Sequence, residues 1–193
     1  QRATVSGKRA LCLGGAKNPI ILMPDADPDV AATGILASFT GCAGQRCMAA
    51  SLLLAVGDVE PILEAVTAQA RAMVLGRDMG ALISKEARER LEAAIAQAET
   101  EGAILRVDGR RAAVPPGCEG GNWLGPTILD HVQPGSSAAC EELFGPVLTI
   151  IRVPDLEAAL AIEAASPYGN AASVFTRSGA VAEEVALRVH AGM

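Results

Sequence analysis

Cys47 is the residue whose surroundings most strongly suggest chemistry. It lies in the run GCAGQRCM, residues 41–48, between a predicted helix and a predicted strand. Glycines at positions 41 and 44 let the main chain turn tightly and let a ligand approach it closely. On physical grounds alone, a cysteine among small residues is more often a buried small hydrophobe than a nucleophile. The residue types around Cys47 therefore permit a nucleophilic thiol without requiring one.

The other cysteines and the histidines limit what this thiol could do. The five cysteines, at positions 12, 42, 47, 118 and 140, are odd in number and lack the close pairs of a zinc site or a disulfide scaffold. Only His131 and His190 could activate a thiol as imidazoles, and neither has a local context that places it beside Cys47. A Cys–His hydrolase and a metal centre are therefore not expected, and reduced thiols favour a cytoplasmic location.

Charge and composition exclude several classes of partner. The 193 residues include 16 Lys and Arg against 22 Asp and Glu, a formal net charge of −6, and only 3% aromatic residues. Without a basic stripe or stacking aromatics, nucleic acid is not an expected partner. The longest mainly apolar run, residues 47–56, is far shorter than the ~20 residues that cross a bilayer, so no membrane association is expected either.

Short apolar runs alternate with helical patterns along the chain. The runs that predict strands are residues 10–13, 19–23, 51–56, 103–107, 147–153 and 172–176. Helices are predicted to open at Asp27, Asp58, Ser84, Asp155 and Ser178. Residues 107–126, rich in Gly and Pro, predict a long irregular connection. The alternation predicts an α/β fold in which helices cover both faces of a mostly parallel sheet.

Several motifs in a fixed order resemble those of the aldehyde dehydrogenase superfamily. The run GQRC at residues 44–47 is similar to the family's nucleophile signature, and EELFGPV at residues 141–147 is similar to its second signature. The runs LGG at 13–15, MPDAD at 23–27 and GPTIL at 125–129 also occur in the family's order. The resemblance extends over essentially the whole chain. It implies the three-layer α/β/α catalytic domain of that family.

The resemblance implies roles for individual residues. Cys47 would be the nucleophile, whose thiolate attacks an aldehyde carbonyl and, after hydride leaves to a nicotinamide, carries the product as a thioester. The main-chain N–H of Cys47 would help to hold the oxyanion. Glu142 and Phe144 match the positions that orient the nicotinamide ribose, which makes NAD the expected cofactor. A surface carboxylate and a core aromatic are the alternative interpretations of these two residues.

Two further residues indicate which branch of the family the chain resembles. Hydrolytic members carry a glutamate immediately before the Leu-Gly-Gly motif, where it activates water, whereas this sequence has Cys12 there. Arg46, next to the nucleophile, matches the position that holds a substrate carboxylate, which a guanidinium binds well. Together with GGAKN at 14–18 and PYGN at 167–170, these features resemble the methylmalonate-semialdehyde dehydrogenases, which transfer the acyl group to coenzyme A.

The resemblance also bounds what the chain is expected to contain. Residues 1–193 would be the catalytic domain only, without the family's N-terminal NAD-binding domain and its C-terminal oligomerisation segment. The isolated chain is then expected to be inactive in aldehyde oxidation, and the complete protein to be a homo-oligomer, a dimer or a tetramer. A hydrolytic NAD(P)-dependent aldehyde dehydrogenase and a non-catalytic module of the same fold are the alternatives. Coenzyme A dependence and the reactivity of the Cys47 thiol distinguish them.

Overall fold

The computed structural model describes residues 2–9 and 14–193. Within these residues the chain forms six strands and seven helices. The strands are β1 (Asn18–Leu22), β2 (Ala50–Val56), β3 (Ile104–Val107), β4 (Thr127–Asp130), β5 (Val147–Val153) and β6 (Ser173–Phe175). The helices are α1 (Arg2–Val5), α2 (Pro28–Thr40), α3 (Glu60–Ala72), α4 (Lys85–Thr100), α5 (Ser137–Cys140), α6 (Leu156–Ala164) and α7 (Gly179–Arg188).

The six strands form one sheet in the order β3-β4-β5-β2-β1-β6. Every pair of neighbours is parallel except β3 and β4, which are antiparallel at one edge. The central strands β1, β2 and β5 are buried along almost their whole length. Strands buried on both faces explain the nearly continuous apolar runs in the sequence. The predicted mostly parallel sheet is confirmed.

Two apolar clusters lie on opposite faces of this sheet and give the fold its three layers. On one face, helices α2 and α3 pack residues such as Ile35, Phe39 and Leu63 against the strands. On the other face, helices α4 to α7 contribute residues such as Leu91 and Leu160. The predicted α/β/α architecture is therefore confirmed.

Most helices begin where the sequence predicts. The Asp27 carboxylate accepts hydrogen bonds from the first N–H groups of α2, and Pro28 takes the first helical position, where a missing N–H costs nothing. Ser84, Asp155 and Ser178 cap α4, α6 and α7 in the same way. The fifth predicted helix, α3, has its N-cap at Val59, one residue after the predicted Asp58, and the Asp58 carboxylate accepts a hydrogen bond from the Glu60 N–H at 3.2 Å.

Some short elements and boundaries differ from the sequence predictions. Apolar periodicity alone does not predict β4 or α5, because each has only four residues and follows a turn rich in Gly, Pro or Ser. The irregular connection at residues 107–126 is confirmed, apart from a short 3-10 turn at Gly109–Arg111. The predicted strand at residues 10–13 lies outside the described residues.

A cluster of charged side chains ties the edge strand β3 to its neighbours. Asp130 at the end of β4, with its side chain 2% exposed, accepts hydrogen bonds from Arg106 of β3 at 2.6 Å and from Arg152 of β5 at 2.7 Å. Glu60 of α3 accepts from the same two guanidiniums. Burial alone would raise the pKa of Asp130, but the hydrogen bonds from Arg152 and Arg106 lower it to about 2. The network therefore joins three strands and one helix through ionised groups.

Candidate active site

Cys47 lies in the turn between the 3-10 turn at Gly41–Gly44 and strand β2, and its side chain is exposed. The backbone before it is strained: Cys42, Ala43 and Gly44 have φ angles of 52°, 53° and 70°. Residues other than glycine rarely adopt this left-handed region, and the surrounding structure must hold them there. Such strain is concentrated at functional sites, and here it presents the Cys47 thiol to solvent.

The strained turn contacts the second signature segment directly through main-chain atoms. A Cβ atom on Gly44 would lie 2.1 Å from the carbonyl oxygen of Gly145, so only glycine fits at this position. The contact brings the turn that carries Cys47 against the segment that carries Glu142 and Phe144. Two runs that are distant in sequence thus form one site.

The four residues predicted for the site line one small cleft. Arg46, Cys47, Glu142 and Phe144 surround it together with Ala16 and four small residues, Gly44, Ala49, Ser51 and Gly145. Phe144 is 40% exposed at this cleft and also has a left-handed φ, 52°. An aromatic ring held in a strained conformation at the surface is suited to contact a ligand rather than to fill the core. The structure therefore brings all four predicted residues together.

Glu142 is held in place by main-chain groups. Its carboxylate accepts a hydrogen bond from the main-chain N–H of Ala16 at 3.0 Å. The neighbouring carbonyl of Leu143 accepts a hydrogen bond from the Arg90 guanidinium of α4 at 2.6 Å. The first contact joins the second signature to the Gly-Gly-Ala-Lys-Asn segment, and the second joins it to α4. Cys12, which the sequence analysis places in the position of the hydrolytic base, lies outside the described residues.

Arg46 has a structural contact that the sequence analysis did not predict. Its Nη2 donates to the carbonyl oxygens of Ala37 and Ser38 at 3.0 and 2.9 Å, in the last turn of α2. A cation at a helix C-terminus satisfies carbonyls that have no partner within the helix and interacts favourably with the helix dipole. A guanidinium has five N–H donors, so this cap leaves others available for a carboxylate.

Two asparagines bind the main chain of Cys47, and the resemblance to the family assigned a role to neither. The carbonyl oxygen of Cys47 accepts from Asn18 at 2.9 Å and from Asn170 at 2.8 Å. Asn18 also donates to Ala49, the second residue after the nucleophile, at 3.0 Å. The sequence does contain a signal for this role, because Asn18 ends the family motif GGAKN and Asn170 ends the motif PYGN.

Two negative findings apply to residues 2–9 and 14–193. None of the helices there is long and apolar enough to cross a membrane. No group of three or more His, Cys, Asp or Glu side chains in that part of the chain is arranged to hold a metal ion.

Comparison with protein families places this site in a known context. All 193 residues match the family defined as "Aldehyde dehydrogenase family". The chain belongs to the aldehyde dehydrogenase family. The resemblance inferred from the motifs is thereby confirmed, and so is the fold, since solved aldehyde dehydrogenases superimpose on nearly the whole chain.

Three relatives show which family members this aldehyde dehydrogenase chain is similar to. It is 40% identical, over 99% of its length, to the acylating mitochondrial methylmalonate-semialdehyde dehydrogenase of Arabidopsis thaliana, of which it covers 32%. A crystal structure of methylmalonate-semialdehyde dehydrogenase from Oceanimonas doudoroffii matches 99% of the chain with 38% identity and a TM-score of 0.93, and the chain covers 41% of it. An aldehyde dehydrogenase from Bacillus cereus in complex with NAD+ matches 92% with 31% identity and a TM-score of 0.84, and 37% of that chain is covered.

Proposed function

We propose that this chain is the catalytic part of an NAD-dependent semialdehyde dehydrogenase that transfers its acyl product to coenzyme A. The observation that carries the proposal is the exposed Cys47 thiol in one cleft with Glu142 and Phe144. The 40% identity to an acylating methylmalonate-semialdehyde dehydrogenase supports the substrate class and the acyl transfer. The solved NAD+ complex of a 31% identical aldehyde dehydrogenase supports the cofactor.

Cys47 performs the covalent step in this proposal. Its thiolate sulfur forms a bond to the aldehyde carbon, and the carbonyl oxygen becomes an oxyanion that the Cys47 main-chain N–H helps to stabilise. NAD, when bound, accepts the hydride that leaves this carbon. The C=O bond then reforms, which leaves a thioester on Cys47. The two hydrogen bonds to the Cys47 carbonyl hold the main chain from which the sulfur projects.

Glu142 and Phe144 fit the role of holding the cofactor. Glu142 accepts a hydrogen bond from Ala16 through Oε1, and a carboxylate has further lone pairs with which to accept from ribose hydroxyls. The exposed Phe144 ring offers an apolar face at the same cleft. In this arrangement one residue orients the sugar by hydrogen bonds and the other supports it by packing.

Arg46 and Cys12 account for the choice of substrate and of acyl acceptor. The donors of Arg46 that do not cap α2 would bind the carboxylate of a semialdehyde. Cys12 occupies, by the motif, the position of the base that activates water in hydrolytic members, and a thiol activates water poorly. The thiolate of coenzyme A needs no such base, so it attacks the thioester, forms the acyl-CoA and releases the Cys47 thiolate.

The proposal extends to the protein of which residues 1–193 would form the catalytic domain. The chain spans 32% of the Arabidopsis relative and 41% of the Oceanimonas structure. On this basis we propose that an NAD-binding domain and an oligomerisation segment lie outside residues 1–193 and that the isolated chain lacks oxidation activity. The family resemblance and the expected reduced thiols are the grounds for proposing a dimer or tetramer in the cytoplasm.

The test is a burst experiment with the complete enzyme. Semialdehyde and NAD without coenzyme A should give about one NADH per active site followed by slow turnover, and coenzyme A should restore steady turnover to an acyl-CoA. Cys47→Ala should abolish the burst, while the matched variant Cys42→Ala should retain it. Steady production of free acid without coenzyme A would refute acyl transfer and favour the hydrolytic alternative. A burst that survives in Cys47→Ala would refute the nucleophile.

A further inference from the structure

Glu163 is a buried carboxylate whose position local preferences do not explain. It is 4% exposed and lies in the last turn of α6, where the helix dipole disfavours a negative charge and burial removes hydration. Its partner lies 27 residues further along the chain. The carboxylate accepts the main-chain N–H of His190, with Oε1 at 3.0 Å and Oε2 at 3.3 Å. Glu163 therefore anchors residues 189–193, which we call the anchored segment.

The link between Glu163 and the anchored segment passes through the main chain. The His190 imidazole is 73% exposed, and its Nδ1 lies 3.6 Å from Oε2 of Glu163, beyond hydrogen-bond length. The guanidinium of Arg188, just before the segment, binds Glu157 and Glu184 instead. The N–H of His190 is thus the group that the buried carboxylate holds.

The anchored segment pairs with the loop that carries Asn170, on both sides of that residue. The N–H of Gly192 donates to the carbonyl oxygen of Gly169 at 2.8 Å, one residue before Asn170. The N–H of Ala172 donates to the carbonyl oxygen of Met193 at 3.0 Å, two residues after it. The main chain of Asn170 is therefore held from both directions by the segment that Glu163 anchors.

Asn170 in turn holds the main chain of Cys47. Its Nδ2 donates to the carbonyl oxygen of Cys47 at 2.8 Å and lies 3.4 Å from the sulfur of Met48. A side chain on a partly exposed loop loses conformational entropy when it makes such a bond. That loss is smaller when the loop is already fixed, so the anchored segment favours the hydrogen bond to Cys47.

We propose that Glu163 is a positioning residue for Cys47, and that it acts by anchoring residues 189–193 against the loop that carries Asn170. Glu163 does not line the cleft, so its effect on the thiol passes through these hydrogen bonds. The inference rests on the proposed function in treating Cys47 as the nucleophile. Alkylation of the thiol needs neither aldehyde nor NAD, so a failure of the proposed function and a failure of this inference are seen separately.

The experiment measures the rate at which iodoacetamide alkylates each cysteine of the full chain, with mass spectrometry to assign the sites. Cys118 and Cys140, which are exposed and do not line the cleft, are the internal references. Glu163→Ala and Asn170→Ala should change the Cys47 rate in the same direction by about threefold or more, because one hydrogen bond shifts a conformational equilibrium by this order. The double variant should match Asn170→Ala, because two residues on one path do not act additively.

Variants of His190 test the same link from the other end. His190→Pro lacks the N–H that Glu163 accepts, and Val189 before it already has the extended conformation that proline requires, with φ −66° and ψ 146°. It should change the Cys47 rate as Glu163→Ala does, even if Glu163→Ala does not fold. His190→Ala keeps the N–H and should retain the unmutated rate. Glu163→Gln, whose amide oxygen can still accept, should retain it as well.

The matched control is Glu157→Ala, which removes an exposed carboxylate of α6 that binds Arg188 of α7 but not the anchored segment. It should leave the Cys47 rate unchanged. The proposal is overturned if neither Glu163→Ala nor His190→Pro changes that rate, or if His190→Ala changes it as much as His190→Pro. Equal changes at the two reference cysteines would show general loosening of the fold instead, and additive effects in the double variant would show two separate paths. Either result would also refute the positioning role.

Discussion

Asn170 donates a side-chain hydrogen bond to the main-chain carbonyl of Cys47 at 2.8 Å, across 123 residues of sequence. Asn18 donates to the same oxygen from the other direction along the chain. Both lone pairs of this carbonyl are therefore used, and the peptide plane between Cys47 and Met48 is fixed by groups next to β1 and β6. The proposed nucleophile is thus positioned by two side chains that have no part in its proposed chemistry.

Replacing Asn18 or Asn170 by alanine should lower the free energy of unfolding by unequal amounts. Asn170→Ala leaves the carbonyl with one donor and should lower the free energy of unfolding by about 1 kcal/mol. Asn18→Ala removes two donated hydrogen bonds and a longer accepted one from a buried residue, and it should cost about 2–3 kcal/mol. Urea denaturation measures both losses, and the rate of Cys47 alkylation by iodoacetamide should change in each variant. Asn122→Ala, outside the cleft, is the control. Equal, negligible losses in both variants would contradict the positioning role.

The main-chain contact between Gly44 and Gly145 predicts that a single methyl group added at Gly44 strongly destabilises the fold. In Gly44→Ala the new Cβ would collide with a carbonyl oxygen at a left-handed position, and at least about 3 kcal/mol of stability should be lost. Gly179→Ala is the matched control, because a Cβ there meets no atom within 4 Å, and it should be neutral or stabilising by about 0.4–1 kcal/mol. Urea denaturation of both variants measures the difference. A Gly44→Ala variant as stable as Gly179→Ala would show that the close approach is not required.

The Asp130 network predicts acid sensitivity. The pKa of Asp130 is about 2 in the folded chain, below the ~3.9 of an unfolded aspartate, so the folded state binds fewer protons. This contributes roughly 2–3 kcal/mol, present in full above about pH 5 and lost as the pH falls towards 2. Unfolding free energies measured between pH 7 and pH 3 should decline. In Asp130→Asn they should be lower at pH 7 and depend less on pH, whereas Glu64→Gln, an exposed change on α3, should retain the decline.

Arg46 should show two separable effects, because it caps α2 and is proposed to bind the substrate carboxylate. Arg46→Met should lower the unfolding free energy by about 1 kcal/mol through loss of the cap. In the complete enzyme it should also raise KM for a carboxylated semialdehyde by at least about tenfold, because a charge-assisted hydrogen bond is lost. KM for propanal, which has no carboxylate, should not change. An equal rise in KM for both aldehydes would show that Arg46 has the structural role alone.

The sequence predicts the elements whose pattern is set locally. Strands β1, β2 and β5 are recognised because burial on both faces demands continuous apolar residues, and helix α2 begins where Asp27 and Pro28 satisfy its first turn. Strand β4 and helix α5 are too short for a periodicity to develop, and they form because their neighbours in space supply partners. The family motif, not the periodicity, indicated residues 125–129.

The sequence predicts the residues that line the candidate site but not the hydrogen bonds that hold them in place. Family motifs named Arg46, Cys47, Glu142 and Phe144, and the structure places them around one cleft. The hydrogen bonds of Asn18 and Asn170, and the cap that Arg46 makes on α2, arise from tertiary contacts between distant segments. Apart from the family motifs GGAKN and PYGN, in which the two asparagines occur, no local pattern predicts these contacts. The burial of Lys17 likewise follows only from the packing of β2, β5 and α6 around it.

Ala16, Lys17 and Asn18 have three different roles: the main-chain N–H of Ala16 holds Glu142, the Lys17 side chain is buried, and the Asn18 side chain binds the Cys47 carbonyl. Successive side chains on an extended segment point to opposite sides, so a shift by one residue exchanges their directions. A single insertion or deletion here would disturb all three contacts at once. The connection at residues 107–126 has no such constraint along most of its length, so natural variation in chain length should accumulate there and be excluded from this tripeptide.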